Sequence, residues 1–164
     1  MATKALSMSL ACWIVLAPGG MSAQNSAAAK ERTAADGVAR FVERVRSDDG
    51  LPYLRRIEDG HLRQDACRRA TKGDKSGGHS TGIGPPEKVG MLAVFWYSTR
   101  DPNERSPDLA EWIKGPGPQY EQPHRFAVGV CVVSATGPSE ERYWVEIGTY
   151  MSAIKSLFYR PVWD

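Results

Sequence analysis

The stretch EQPHRFAVGVCVVSATGPSEERYWVEIGTY, residues 121–150, decides the fold of this chain. Apolar side chains alternate along residues 126–133 and again along 143–148, and the polar segment SATGPSEE separates the two runs. A period of two is typical of β-strands, because successive side chains point to opposite faces of a sheet. The sequence therefore predicts an antiparallel hairpin with a long connecting loop.

The first half of the chain predicts two helices. Residues 26–50 carry Ala34, Val38 and Val42 on one apolar stripe, with charges on the other face, and Asp48-Asp49-Gly50 supplies a stop. Residues 51–72 predict a link and then a helix that Asp59 caps, because its carboxylate can accept from the free amides of the first turn. The inward face of this second helix consists of Leu62, Ala66 and Ala70.

The segments that follow predict a loop, a strand and a short helix. Residues 73–88, GDKSGGHSTGIGPPEK, are rich in glycine and proline and predict a long irregular loop with His79 at its centre. The run VGMLAVFWYST predicts a strand, and Ser106 and Pro107 predict the cap and first residue of a short helix. This order of elements favours an α+β domain, a three-layer α-β-α sandwich in which helices cover a small antiparallel sheet.

The N-terminal residues have the pattern of a secretory signal. Lys4 precedes an apolar run, Pro18-Gly19-Gly20 follows it, and small residues end at Ala23. The run is shorter than the ~20 residues that a membrane-spanning helix needs. We therefore expect a signal peptide over 1–23, a single domain over 24–164, and a secreted or periplasmic protein with no permanent membrane span. Lipidation at Cys12 is an alternative, although the apolar run continues past that residue.

Two cysteines remain after the predicted cleavage, Cys67 and Cys131. In an oxidising compartment they suggest one disulfide, which would stabilise the fold by ~4 kcal/mol for a loop of about 60 residues. The alternative is two buried free cysteines in separate positions of the core, since sequence alone does not show whether the Cα atoms are close enough to bridge.

The charge balance excludes one class of partner. The chain has 21 basic and 19 acidic side chains. Cations do not alternate with aromatic residues as a nucleic-acid surface requires, so we expect no nucleic-acid partner.

Several short motifs, taken in their order, resemble the CAP superfamily of cysteine-rich secretory, antigen 5 and pathogenesis-related domains, in a degenerate bacterial form. They lie within about residues 33–150. The motifs are Val45-Arg46, Gly50-Leu51-Pro52-Tyr53-Leu54, Leu62 with Ala66 and Ala70, His79-Ser80-Thr81-Gly82, Leu109-Ala110-Glu111-Trp112, Val128-Gly129-Val130 and Tyr143-Trp144-Val145. The resemblance implies a cleft of two histidines and two glutamates, and lipid, glycan or protein partners.

The chain departs from that family where the cleft should be. The strand after the first histidine lacks the family's Gly-Glu-Asn motif, and the second histidine, His124, stands well beyond the tryptophan. The candidate cleft residues are His79, His124, Glu111 and Glu87. Imidazole and carboxylate are ordinary ligands of a divalent cation such as zinc, and His79 and His124 are the candidate metal ligands. The alternative is that His79 is a solvated loop residue and His124 a polar residue before a strand.

These observations favour a secreted, non-catalytic CAP-like domain that binds a ligand or partner through a loop cleft. No nucleophile motif supports catalysis, because Ser80 directly beside His79 does not form a triad. The alternatives are a secreted metal-dependent hydrolase that uses the His/Glu cleft, and an envelope structural or stress protein that the disulfide stabilises.

Overall fold

The computed structural model describes residues 20–81, 90–115, 123–134 and 141–151, which form three helices and five strands. The chain is therefore a mixed α+β protein, as its sequence predicts. In chain order the elements are α1 (Gly20–Asp48), β1 (Arg55–Arg56), α2 (Gly60–Lys72), β2 (Gly78–Thr81), β3 (Met91–Thr99), α3 (Leu109–Lys114), β4 (Arg125–Ser134) and β5 (Glu141–Tyr150).

The strands form one open sheet in the order β1-β4-β5-β3-β2. The predicted hairpin is confirmed, because β4 and β5 pair antiparallel with Val128 opposite Ile147 and Val132 opposite Tyr143. β3 pairs antiparallel with both β5 and β2, whereas β1 pairs parallel with β4. Apart from the short β1, the sheet is antiparallel, as predicted.

Alternate residues of the strands join different hydrophobic clusters. The main core unites one set of strand residues with apolar residues of α1 and α3, among them Val38, Leu109, Phe126, Val130, Val145 and Ile147. The intervening strand residues contact α2, where Ala127 packs with Leu62, and Cys131 and Trp144 pack with Ala66. The period of two in the sequence therefore separates the contacts of α2 from those of α1.

The helix termini follow local sequence signals. Asp59 accepts a hydrogen bond from the His61 amide at 2.8 Å, which confirms it as the cap of α2. α1 ends at Asp48, and Gly50 follows with φ of 64°, a left-handed conformation that glycine adopts without a side-chain clash. α1 begins at Gly20 and is six residues longer at its N-terminus than predicted.

Three sequence predictions need correction. Residues 78–81 are not irregular, because β2 forms there by pairing with β3. A Cβ on Gly78 would lie 2.9 Å from the Trp96 ring, so this glycine makes room for an aromatic residue of β3 rather than breaking the strand. α3 begins at Leu109 instead of Pro107, and the predicted link contains the short strand β1.

Within the described residues, no helix is long and apolar enough to cross a membrane. The predicted signal peptide lies mostly in residues 1–19, which are outside the described residues, and its predicted cleavage point, Ala23, lies within α1.

Candidate binding groove

The two histidines that the sequence singles out lie far apart. His79 is on β2 opposite Phe95, whereas His124 precedes β4 and donates its amide to the Tyr150 carbonyl at 2.9 Å. Three strand spacings separate β2 from β4, or ~14 Å across the sheet at ~4.8 Å per spacing. Phe95 pairs with Ile147, which lies opposite Val128, four residues beyond His124, so the histidines are also offset by ~13 Å along the strands.

This separation of about 19 Å overturns the predicted shared cleft. Two imidazoles on one zinc ion hold their nitrogens within about 4 Å of each other, which side chains starting ~19 Å apart do not reach. Both histidines are exposed, and the His79 ring stacks against Phe95 at 6.5 Å between ring centroids. Glu111 is an exposed residue of α3 that pairs with Lys114 at 3.0 Å. Glu87 lies outside the described residues.

Cys67 and Cys131 form a disulfide that joins α2 to β4, with their Cα atoms 5.0 Å apart. The pairing predicted from the sequence is confirmed. The Glu31 carboxylate of α1 lies within 4.8 Å of both sulfurs, and in the described residues this is the one group of three potential metal ligands. Thiolates rather than disulfide sulfurs bind metals, so the oxidised pair does not make a metal centre.

Glu31 forms hydrogen bonds with Val132 and Arg63 instead of binding a metal. Its contact with Val132 marks one end of an open strand edge. The residue is only 8% exposed; one carboxylate oxygen accepts from the Val132 amide at 3.2 Å, and the other accepts from Arg63 of α2 at 2.8 Å. At the other end, the Ile57 amide donates to the Phe126 carbonyl at 2.8 Å, the last backbone contact of the β1 segment. Both contacts are made on the side of β4 that faces away from β5.

Val128 and Val130 lie between these two contacts and have the same strand parity as Phe126 and Val132. Because backbone groups alternate direction along a strand, their N–H and C=O groups also point away from β5. In the ranges that the structure describes, no strand pairs with this outer side of Val128 and Val130. Within the described part of the chain, the β4 edge is therefore paired at one end, capped by a carboxylate at the other, and open in between.

The open edge forms the floor of a groove with a volume of 570 Å³. One wall comes from α1, and the other comes from the segment that leads from β1 into the first turn of α2. Charged side chains line both walls, and most are paired: Arg56 with Asp36 at 2.8 Å, in addition to Arg63 with Glu31. We call this feature the β4-edge groove.

Asp59 stiffens the wall beside α2. In addition to capping α2, it accepts a hydrogen bond from the Tyr150 hydroxyl, which links the wall to the end of β5. Burial and the neighbouring Asp59 carboxylate raise the pKa of the Tyr150 hydroxyl far above its ordinary value. The tyrosine therefore stays protonated and remains a donor to Asp59 throughout the physiological pH range.

Sequence reasoning did not find this groove. Glu31 stands on the polar face of a helix, where a carboxylate ordinarily contacts solvent, and its contact with Val132 spans 101 positions of the chain. The structure shows the cause in the lengths of β1 and β4, because a two-residue strand leaves most of a ten-residue neighbour unpaired on that side; the sequence predicts only a link where β1 lies.

A scan against protein-family models and searches of curated proteins and solved structures give no match to this chain. The CAP resemblance therefore stays a prediction from the quoted motifs, and the β4-edge groove is interpreted from its own geometry.

Proposed function

We propose that this protein is a secreted, non-catalytic, CAP-like domain that binds an extended segment of a partner protein along the β4-edge groove. The observation that carries the proposal is that, among the described residues, the outward backbone groups of Val128 and Val130 have no strand partner between two fixed ends. The proposal includes a three-layer α-β-α arrangement, with α1 and α3 on one side of the sheet and α2 on the other. Separate clusters for alternate strand residues support that layering.

Two features support a location outside the cytoplasm. Residues 1–23 have the pattern of a signal peptide, and Cys67 and Cys131 are joined. Disulfides persist in oxidising compartments and are rare in the cytosol.

Backbone pairing is the recognition that an open strand edge offers. An extended peptide can add a strand to such an edge, where main-chain hydrogen bonds give affinity and alternate side chains give specificity. β1 ends where the open edge begins, so an added segment would continue the line of β1. From Val128 to Val130 the edge is ~7 Å long, so pairing involves about three or four residues of the partner.

The charged side chains that line the groove indicate which side chains a partner segment should carry. Arg32 on α1 and Glu58 beside β1 are exposed groove residues for which the described residues offer no ion-pair partner. A segment with an acidic residue toward Arg32 and a basic residue toward Glu58 would complement both walls. Lipids and glycans lack the alternating N–H and C=O groups that the edge selects.

The test is selection of linear peptides from a displayed library on the wild-type protein, followed by calorimetry on synthetic copies. For the tightest peptide we would prepare a series with one backbone N-methyl group at each position. Because alternate amides of an added strand face the protein, N-methylation should weaken binding at every second position by about tenfold or more and leave the others nearly unchanged.

Charge variants locate the peptide. Arg32→Ala should weaken binding of a selected acidic peptide several-fold, whereas the matched change Arg40→Ala, at an exposed position of α1 that does not line the groove, should leave binding unchanged. A uniform response to N-methylation, or equal binding by both variants, would refute strand addition at this edge.

A further inference from the structure

A second cavity lies at the other end of α1, away from the β4-edge groove. It has a volume of 190 Å³ and is bounded by the last turns of α1, by residues 51–54 and by Phe126. An engineered cavity of about 150 Å³ holds one benzene molecule, so this cavity is large enough for one small organic molecule.

Arg46 lines this cavity and is an unusual residue to find there, because only 2% of it is exposed. Its Nε donates to the Pro52 carbonyl at 2.9 Å, and its Nη1 donates to the Ile113 carbonyl at 2.9 Å. Its Nη2 is buried and has no hydrogen-bond partner among the described residues. Nor does any carboxylate of the described chain form an ion pair with this guanidinium.

An uncompensated buried cation is costly, and a guanidinium remains charged in proteins. Two carbonyl groups supply only partial negative charge. Arg46 lines the cavity, so the group there that offsets its charge is an anion with a planar pair of oxygens, because carboxylates match the fork of an arginine.

The residues that line the cavity indicate the chemical character of the rest of the ligand. Val42, Leu54 and Phe126 are buried apolar residues, and Leu51 is half-buried. Tyr53 also lines the cavity and is 72% exposed, an uncommon position for a large aromatic residue. Glu43 and Ser47 are exposed and contribute the polar part of the lining.

We propose that this cavity is a binding site for a small carboxylate with an apolar body, with the carboxylate held by Arg46 and the body held against Val42, Leu54 and Phe126. The ligand is a free organic acid or the C-terminal residue of a peptide, since both present the same chemistry. The site does not depend on the β4-edge groove.

Calorimetry on the full wild-type chain with benzoate and benzamide provides the test. The two probes have nearly the same shape, but only benzoate is charged, so benzoate should bind about tenfold or more tightly. N-acetylphenylalanine and its C-terminal amide form a second pair, and tighter binding of this acid than of benzoate would identify a peptide terminus as the source. Both acids failing to bind better than their amides would overturn the proposal.

Two substitutions test whether benzoate binds in this cavity. Leu51→Phe fills part of the cavity at a half-buried position and should abolish benzoate binding, whereas Arg46→Met should remove the preference for benzoate over benzamide. Because Arg46→Met removes two internal hydrogen bonds and can prevent folding, the wild-type probe pair and Leu51→Phe decide the matter without it. Unchanged benzoate binding by Leu51→Phe would contradict the assignment.

Discussion

α1 and α2 both pack on the sheet, but they are held by different means. α1 contributes Ala34, Val38 and Val42 to a continuous apolar core. α2 contributes mainly small residues, and it is held by the disulfide, by an ion pair and by a close approach to β4. The contact of α1 depends on apolar volume, whereas that of α2 depends on a few specific atoms, so single substitutions should affect the two contacts differently.

The largest effect is expected where α2 meets β4. A Cβ on Gly129 would lie 2.3 Å from the backbone atoms of Leu62 and Arg63, and neither can move without shifting the helix. Gly129→Ala should lower the free energy of unfolding by about 4 kcal/mol or more, as measured by urea denaturation. Gly60→Ala is the control, because a Cβ there meets nothing within 4 Å and stability should change by less than about 1 kcal/mol. Similar stabilities for the two variants would contradict the close contact.

The disulfide should have the next largest effect. It links positions 64 residues apart, and replacing both Cys67 and Cys131 with serine should cost ~4 kcal/mol, because the unfolded chain loses its cross-link. Denaturation of the wild type with and without a reductant gives an independent measurement, and the double variant should show no response to the reductant. An unfolding midpoint that is the same with and without reductant would show that the bond does not stabilise α2.

The third largest loss of stability is expected from the ion pair between Arg69 of α2 and Glu146 of β5. Its nitrogen–oxygen distance is 2.6 Å, Glu146 is 2% exposed, and the Arg69 guanidinium also lies 4.2 Å from the Trp96 ring. Arg69→Met should cost about 2–3 kcal/mol, because it removes a cation from beside a buried carboxylate.

Two variants control this measurement. Arg68→Met removes an exposed pair with Asp65 and should cost less than about 1 kcal/mol. Adding Glu146→Gln to Arg69→Met should recover part of the loss, because the buried carboxylate is then neutral. No recovery in that double variant would indicate that Arg69 contributes through packing alone.

The smallest effect concerns Tyr97, in the core that α1 builds. Burial raises the pKa of Tyr97 to about 12, from 10.0. The unfolded state therefore loses its proton first, so the stability that Tyr97 contributes is complete below pH 10 and is lost as pH rises through 12. Between pH 9 and 11 this loss is about 1.4 kcal/mol. Urea denaturation at both pH values should show a smaller decline for Tyr97→Phe, and an equal decline would contradict the prediction.

The sequence predicts the elements that have a clear local period. The α1 stripe, the Asp59 cap and the β4–β5 alternation are each readable within one segment, and the structure contains all three. The sequence also favours the disulfide, because two cysteines in an oxidising compartment commonly pair, although it leaves two free cysteines as the alternative.

The sequence does not predict what depends on strand order. A shared site for His79 and His124 requires their strands to be neighbours, and two intervening strands, β5 and β3, keep them apart. The sequence does not predict β2, because its glycine-rich composition is typical of a loop. In the structure, Gly78 leaves room for the Trp96 ring. The Glu31 contact with Val132 depends on how α1 lies along β4, which no local pattern specifies.

Amide hydrogen exchange along β4, followed residue by residue by NMR on the wild-type protein, tests the open edge most directly. Gly129 and Cys131 face β5 and should exchange slowly, whereas Val128 and Val130 should exchange at least about a hundredfold faster, and Val132 should fall between because Glu31 accepts its amide. Uniformly slow exchange from Val128 to Val132 would show that the edge is already covered and would contradict the groove.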